Sequence, residues 1–211
     1  MKLIFTPNPE YIHKVLVVAH ESKILDKIKI ESTRPFDAET IWKYNPMGKV
    51  PSLIMDNGEQ LFGGLVICQY LDSLSTEKST VFPKDNNRWS ALRQMSLGDG
   101  MFDATTLLRV EGWRDKNDWN IDYMLRERRK IIGCLDKMEE ECPSFEHINF
   151  HIGHICMAGG LSYLDLRNPI QEHVIVTGDD TFSWRKDRPN LTKWFDNVIK
   201  RPSLSWKLEI K

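Results

Sequence analysis

The 211-residue chain is 41% apolar, enough to close the core of one large domain or of two small ones. Its 29 basic and 30 acidic side chains are interspersed and leave a formal net charge of -1, which removes the electrostatic reason to expect nucleic acid or an anionic membrane as partner. No apolar run reaches membrane-spanning length, so a small organic ligand is the partner class that remains.

In chain order, Lys2 to Phe5 is a short apolar strand, TPNPE a loop, and Tyr11 to His20 a helix with Tyr11, Val15, Val18 and Ala19 at helical spacing. Met1-Lys2 runs straight into that strand rather than into a leader, and Cys68, Cys134, Cys142 and Cys156 show no CxxC pairing. Both features point to a cytoplasmic protein with reduced thiols. In the loop, Thr6, Asn8 and the N–H groups near Glu10 suit a thiolate, because hydrogen-bond donors and a helix N-terminus favour charged sulfur. The same residue types also serve as plain helix caps.

Ile24 to Ile30 reads as a second strand, and Pro35 to Tyr44 as a loop and short helix leading to NPMGKVP. Ser52 to Met55, the Asp56-Asn57-Gly58 turn and Gln60 to Phe62 make a hairpin. From Leu65 the spacing turns helical, with Val66, Ile67, Tyr70, Leu71 and Leu74 on one stripe. Two joints carry binding chemistry. Pro51 gives no N–H to the ladder, so a cis bond after Val50 leaves the Val50 backbone open to a peptide-like ligand. Gly63-Gly64 opens the helix with bare N–H groups, which together with the dipole can hold a carboxylate.

Ser75 to Asn87 has linker composition and places a boundary near Thr80, giving an α/β domain over 1–79 and an all-α domain over 88–211. Arg88 to Gly112, Ile121 to Glu141, Ile148 to Leu166 and Asn190 to Lys200 read as helices, with Trp194 and Val198 toward the core. Gly98 and Gly100 each weaken the first of these by about 1 kcal/mol relative to Ala, which implies close packing or ligand approach. The basic cluster Arg126, Arg128, Arg129 and Lys130 is offset by nearby acids and reads as a solvated face. His147, His151 and His154 raise a metal site, but no Cys or carboxylate completes the set, and no metal is assigned.

NPMGKVP followed by strand, DNG turn, strand and helix resembles the amino-terminal domain of the cytosolic glutathione S-transferase family. GDGMFDATTLLRVE resembles the first long helix of its bacterial members, and YLDLR with RPNLTKWFDNVIKRPSLS matches their closing pattern, so the similarity covers nearly the full length. The resemblance implies a thioredoxin-like α/β domain with a cis bond before Pro51, followed by an all-α helical bundle. It implies glutathione as co-substrate, held by Lys49, Val50, Pro51, Gly63 and Gly64. It also implies a homodimer in which Asp99 reaches the neighbouring subunit's glutathione, unless Asp99 is a solvated helix carboxylate.

Pro9 stands where the usual catalytic Ser falls, which passes that role to Asn8 or Thr6. Tyr11, Asp103, Thr106, Arg109 and Trp113 are candidates for the electrophile pocket, which the resemblance places at an opening between the domains. The four helical residues among them read otherwise as core or salt-bridge positions. Gly63 and Gly64 replace an acidic residue and a Ser, at a cost of roughly 1.5–3 kcal/mol per lost charge-assisted bond. His151 and His154 occupy the positions of the capping box that opens the Ile148 to Leu166 helix, leaving Asn149 as the nearest ordinary cap.

Two functions follow: an enzyme that transfers the glutathione thiol to a small electrophile, or a non-catalytic scaffold serving as ligand carrier or as partner of transcription or translation machinery. A glutathione-dependent reductase is compatible with the loop but lacks a Cys there.

Overall fold

The computed structural model describes residues 1–6, 13–32, 38–76, 81–147, 149–167 and 183–205. Two compact units emerge, Met1–Arg88 with Arg201–Lys211, and Trp89–Lys200.

The first unit is built on β1 (Lys2–Phe5), β2 (Lys29–Ser32), β3 (Ser52–Ile54) and β4 (Gln60–Phe62), in the order β2-β1-β3-β4. β1 runs parallel to β2 and antiparallel to β3, with Leu3 opposite Ile30 and Leu53. Both β1 and β3 are thus central, and Leu3, Ile4, Phe5 and Leu53 are buried. Helix α1 (His13–Glu21) presents Val15 to Ala19 to the core and packs beside α3 (Gly64–Ser73), and α2 (Ala38–Tyr44) leads to the β3 approach.

The second strand starts later than its apolar residues suggest. Lys23 has φ of 59° and Leu25–Lys27 form a 3-10 turn, so Ile24 and Ile28 reach the core from the turn and pairing begins at Lys29 opposite Lys2. The α3 stripe also differs: Ile67, Cys68, Leu71 and Asp72 are buried, whereas Val66 is 48% exposed and Leu74 faces out. The core lies one position further round the helix than the sequence alone indicates, because a small thiol and a bonded carboxylate fit against it. Asp72 accepts the Val81 N–H at 2.9 Å. That bond, with buried Val81 and Phe82, fixes part of the expected linker to this unit and moves the division to Arg88. The Thr80 position itself lies outside the described residues.

From Arg201 the chain also belongs to the first unit rather than to the helical one. Helix α8 (Pro202–Ser205) packs on α1, where Arg201 forks onto both Glu21 oxygens at 2.7 and 2.8 Å and Ser203 donates a further bond. Burial raises the Glu21 carboxyl, but these hydrogen bonds and the Arg201 charge outweigh it and hold the group below its usual range.

The helical unit contains α4 (Arg88–Glu111), α5 (Ile121–Glu141), α6 (Ile152–Arg167) and α7 (Pro189–Val198). Gly98 explains itself by packing: a Cβ there would lie 2.3 Å from the Cys156 carbonyl carbon, so α4 and α6 touch backbone to backbone. Gly100 faces open space. Asp165 near the end of α6 accepts Trp184 Nε1 at 2.6 Å and a forked pair from Arg185 at 2.6 and 2.8 Å. Asp136 and Glu139 of α5 hold Arg188 and the first N–H groups of α7. On α7 the buried pair is Leu191 and Phe195; Trp194 lies beside them, edge-on to Phe145, and Val198 is half-buried. Trp194 thus packs against the buried Phe145 and His154 as expected, while Leu191 and Phe195 lie deeper.

At the start of α6 the capping role survives the loss of its usual residues. His151 Nδ1 accepts the Gly153 N–H at 3.1 Å, so His151, not Asn149, opens the helix. Its ring stacks on His154 at 3.8 Å, both rings are buried, and among the described residues no group of three or more His, Cys, Asp or Glu suits a metal ion.

Candidate functional site

The NPMGKVP segment is held from within by one side chain. Asn45 is buried; its Nδ2 donates to Lys49 O at 2.7 Å, its Oδ1 accepts the Met47 N–H at 2.9 Å, and its carbonyl accepts the Gly48 N–H at 2.9 Å. Gly48 has φ of +61°, and the Trp42 ring lies where its side chain would stand, with a Cβ position 2.7 Å from the ring. This closed loop delivers Lys49, Val50 and Pro51 to the head of β3. The Val50–Pro51 bond is cis, Pro51 is buried, and Val50 makes no backbone hydrogen bond among the described residues. Asn45 was not among the sequence candidates; its place before Pro46 in a turn-rich string was the available signal. Asn45→Ala is expected to leave the Lys49 carbonyl and Met47 N–H without these partners and lower stability by about 1–3 kcal/mol, read from a chemical unfolding curve.

Across β3, the hairpin closes through Met55 N–H to Glu59 O at 2.8 Å and Gly58 N–H to Met55 O at 3.0 Å. The chain then reaches Gly63, the residue that opens α3. Its φ of 88° lies in the left-handed region, which excuses the missing side chain at the cost of any cap of its own: Gly63 has no side chain with which to cap α3, and no acid lies in the helix's first turn. The first N–H groups of α3 and the positive end of its dipole stand at the start of a helix of 10 residues. Gly64 is crossed by Lys14 from α1, whose Cε would lie 2.8 Å from a Cβ at that position.

Thr6 follows β1 directly and is buried. Asn8, Pro9 and Tyr11 lie outside the described residues.

On α4, Asp99 is half-buried and Asp103 exposed. Thr106 turns its hydroxyl to its own helix, donating to Phe102 O at 3.0 Å. The Arg109 guanidinium lies 5.7 Å from the centre of the Trp113 ring, which is 57% exposed. None of the four pocket candidates on this helix region is core, since the buried face is carried by Met101, Ala104, Thr105 and Leu108. Arg109 and Trp113 form a cation–π pair on this flank.

The cysteines offer no nucleophile. Cys68, Cys142 and Cys156 are buried and Cys134 half-buried, none is disulfide-bonded, and burial with nearby Glu139 and Glu141 pushes the Cys142 thiol up to about 12. No helix among the described residues is long and apolar enough to cross a membrane.

A family model described as glutathione S-transferase, N-terminal domain, matches residues 10–74. Over 97% of this chain and 96% of the relative, the sequence is 26% identical to a protein of Escherichia coli (strain K12) named uncharacterized GST-like protein YibF. A glutathione transferase family member from Pseudomonas fluorescens Pf-5, solved with bound glutathione, is 31% identical over 96% of this chain and 97% of its own, with a TM-score of 0.83. The crystal structure of a family member of that organism with bound S-(propanoic acid)-glutathione is 30% identical over 97% of both chains, with a TM-score of 0.81.

Proposed function

Because the chain belongs to the glutathione S-transferase family, with a thioredoxin-like unit and a helical one, we propose that it binds glutathione and transfers its thiol to a small, partly apolar electrophile. The observation that carries this reading is the juxtaposition in the first unit of a cis Val50–Pro51 loop, whose Val50 main chain makes no backbone hydrogen bond among the described residues, with an α3 start whose N-cap Gly63 has no capping side chain. A peptide thiol offers matching groups, amides for Val50 and a carboxylate for the N–H groups of Gly63 and Gly64. Lys49 adds a cation for its second carboxylate. The relative solved with S-(propanoic acid)-glutathione holds a thioether of the kind a transfer reaction forms, which supports the same chemistry here.

In this proposal Thr6 and Asn8 donate hydrogen bonds to the glutathione sulfur and lower its pKa, so that the thiolate attacks the electrophilic carbon while the leaving group, or an added proton on a conjugate acceptor, balances the charge. Asp103, Thr106, Arg109 and Trp113, with Tyr11, are proposed for the electrophile, and Asp99 for a second subunit's glutathione in a homodimer. Calorimetric titration with glutathione, paired with a conjugation assay, is the test. Millimolar or tighter binding with turnover is expected, and Thr6→Ala or Asn8→Ala is expected to lower turnover about tenfold or more by removing a hydrogen bond to a charged sulfur. Full activity in both variants excludes those two assignments.

The missing acid and cap at α3 favour one competing reading, a scaffold that keeps the fold for binding a partner. Absence of any glutathione binding in the titration decides for it.

A further inference from the structure

We infer that Met47 is the sulfur through which hydrogen peroxide acts on this protein, and that its conversion to the sulfoxide loosens the loop that delivers Lys49, Val50 and Pro51. The effect on the loop rests on the glutathione reading above and names a regulation of that same site.

The chain has eight methionines and four cysteines, and all of them lie among the described residues. A thioether is oxidised when its sulfur lone pair meets the peroxide, so exposure decides between methionines of the same chemistry. Met95, Met101, Met124, Met138 and Met157 are buried, and Met1 and Met55 are half-buried. Met47 is 49% exposed. Thiols are the usual competitors for peroxide, but they react as thiolates. Cys68, Cys142 and Cys156 are buried, and burial raises the thiol of half-buried Cys134, which disfavours its thiolate.

The reaction needs only these two partners. The Met47 sulfur attacks one peroxide oxygen, the O–O bond breaks, and the other oxygen leaves as water once it has taken up a proton. Sulfur is thereby oxidised by two electrons and peroxide reduced by two.

The place of Met47 in the loop gives the added oxygen its consequence. The Met47 N–H donates to Asn45 Oδ1 at 2.9 Å, and Nδ2 of the same Asn45 side chain holds Lys49 O at 2.7 Å. The half of the Met47 side chain that lies against protein is apolar as a thioether and polar as a sulfoxide. A polar S–O group leaves such a contact for water or captures an N–H of the loop. Either movement is carried by the Met47 amide to the Asn45 bridge, and so to Lys49 and the Val50 main chain beyond it.

The test treats the full chain with a limiting amount of hydrogen peroxide, removes the excess with catalase, and maps oxidation by mass spectrometry of tryptic peptides. The added oxygen is expected on Met47 before any other sulfur. Calorimetric titration of the same sample with glutathione is expected to give an affinity about fivefold weaker than that of untreated protein, the equivalent of one hydrogen bond lost from the loop. A methionine sulfoxide reductase is expected to restore it. Met47→Leu, which keeps the amide and has no sulfur, is expected to show the same affinity before and after peroxide. Earlier oxidation of another sulfur overturns the assignment of Met47. Unchanged affinity once Met47 is oxidised, or an equal loss in Met47→Leu, overturns the effect on the loop. Failure of untreated protein to bind glutathione overturns the glutathione reading and that effect with it, while the peptide map still decides the site of oxidation.

Discussion

Gly98→Ala is expected to destabilise the protein while Gly100→Ala, two residues along the same helix, stabilises it. Both substitutions gain about 1 kcal/mol of helix propensity. They differ in what the new methyl meets. At Gly98 it would lie 2.3 Å and 2.5 Å from the carbonyl carbon and oxygen of Cys156 and 2.5 Å from the amide of Met157, all backbone atoms of α6 that cannot turn aside as a side-chain tip can. Separating two helices by the missing distance belongs at the upper end of overpacking costs, about 3 kcal/mol, so a net loss of about 2 kcal/mol remains. For a chain of this size that corresponds to a fall of roughly 4–8 °C in Tm. At Gly100 nothing lies within 4 Å, so the propensity gain is uncontested. Scanning calorimetry on both variants decides; shifts in the same direction would refute the backbone contact.

Acid is the second sensitive axis. Burial lowers the His151 imidazole to about 4, against a smaller opposing effect of a backbone hydrogen bond, and the ring is 3% exposed. The unfolded chain titrates His near 6.5. Between those values the unfolded state takes up a proton that the folded state refuses, so the stabilisation is complete above about pH 6.5 and declines as the pH falls toward 4. For His151 the loss is about 3 kcal/mol over that window. Protonation also removes the Nδ1 lone pair that accepts the Gly153 N–H, so the α6 cap goes with it. Burial lowers His13 to about 4 as well, which adds a loss of the same sign. His151→Ser keeps a cap without a titrating ring. Urea unfolding between pH 7 and 4 is expected to show a shallower decline for the Ser variant; parallel declines would exclude His151 as the source.

These two cases mark how far the linear sequence reaches. NPMGKVP, the hairpin turn and the long helical patterns were legible because they depend on local properties: a proline without an N–H, glycines with positive φ, and apolar residues at the helical period. With the family resemblance they were sufficient for the fold and for placing Lys49, Val50, Pro51, Gly63 and Gly64 along one edge of the first unit. Gly98 was legible as an anomaly, and its cause was left open between packing and ligand because periodicity does not say which helix lies opposite.

Whatever depends on residues distant in the chain was decided by tertiary structure. The start of β2 was set by its register with Lys2, not by the apolar Ile24 and Ile28. The buried faces of α3 and α7 were set by what their neighbours could accommodate. Arg201, read as part of the helical domain, is drawn to the first unit by Glu21, 180 residues away. His151 breaks a capping signal in the sequence, yet an imidazole held neutral by burial accepts the same N–H that a hydroxyl would. Local backbone chemistry is written residue by residue, but burial and charge partners are properties of the space between elements, and that space exists only after the chain has closed on itself.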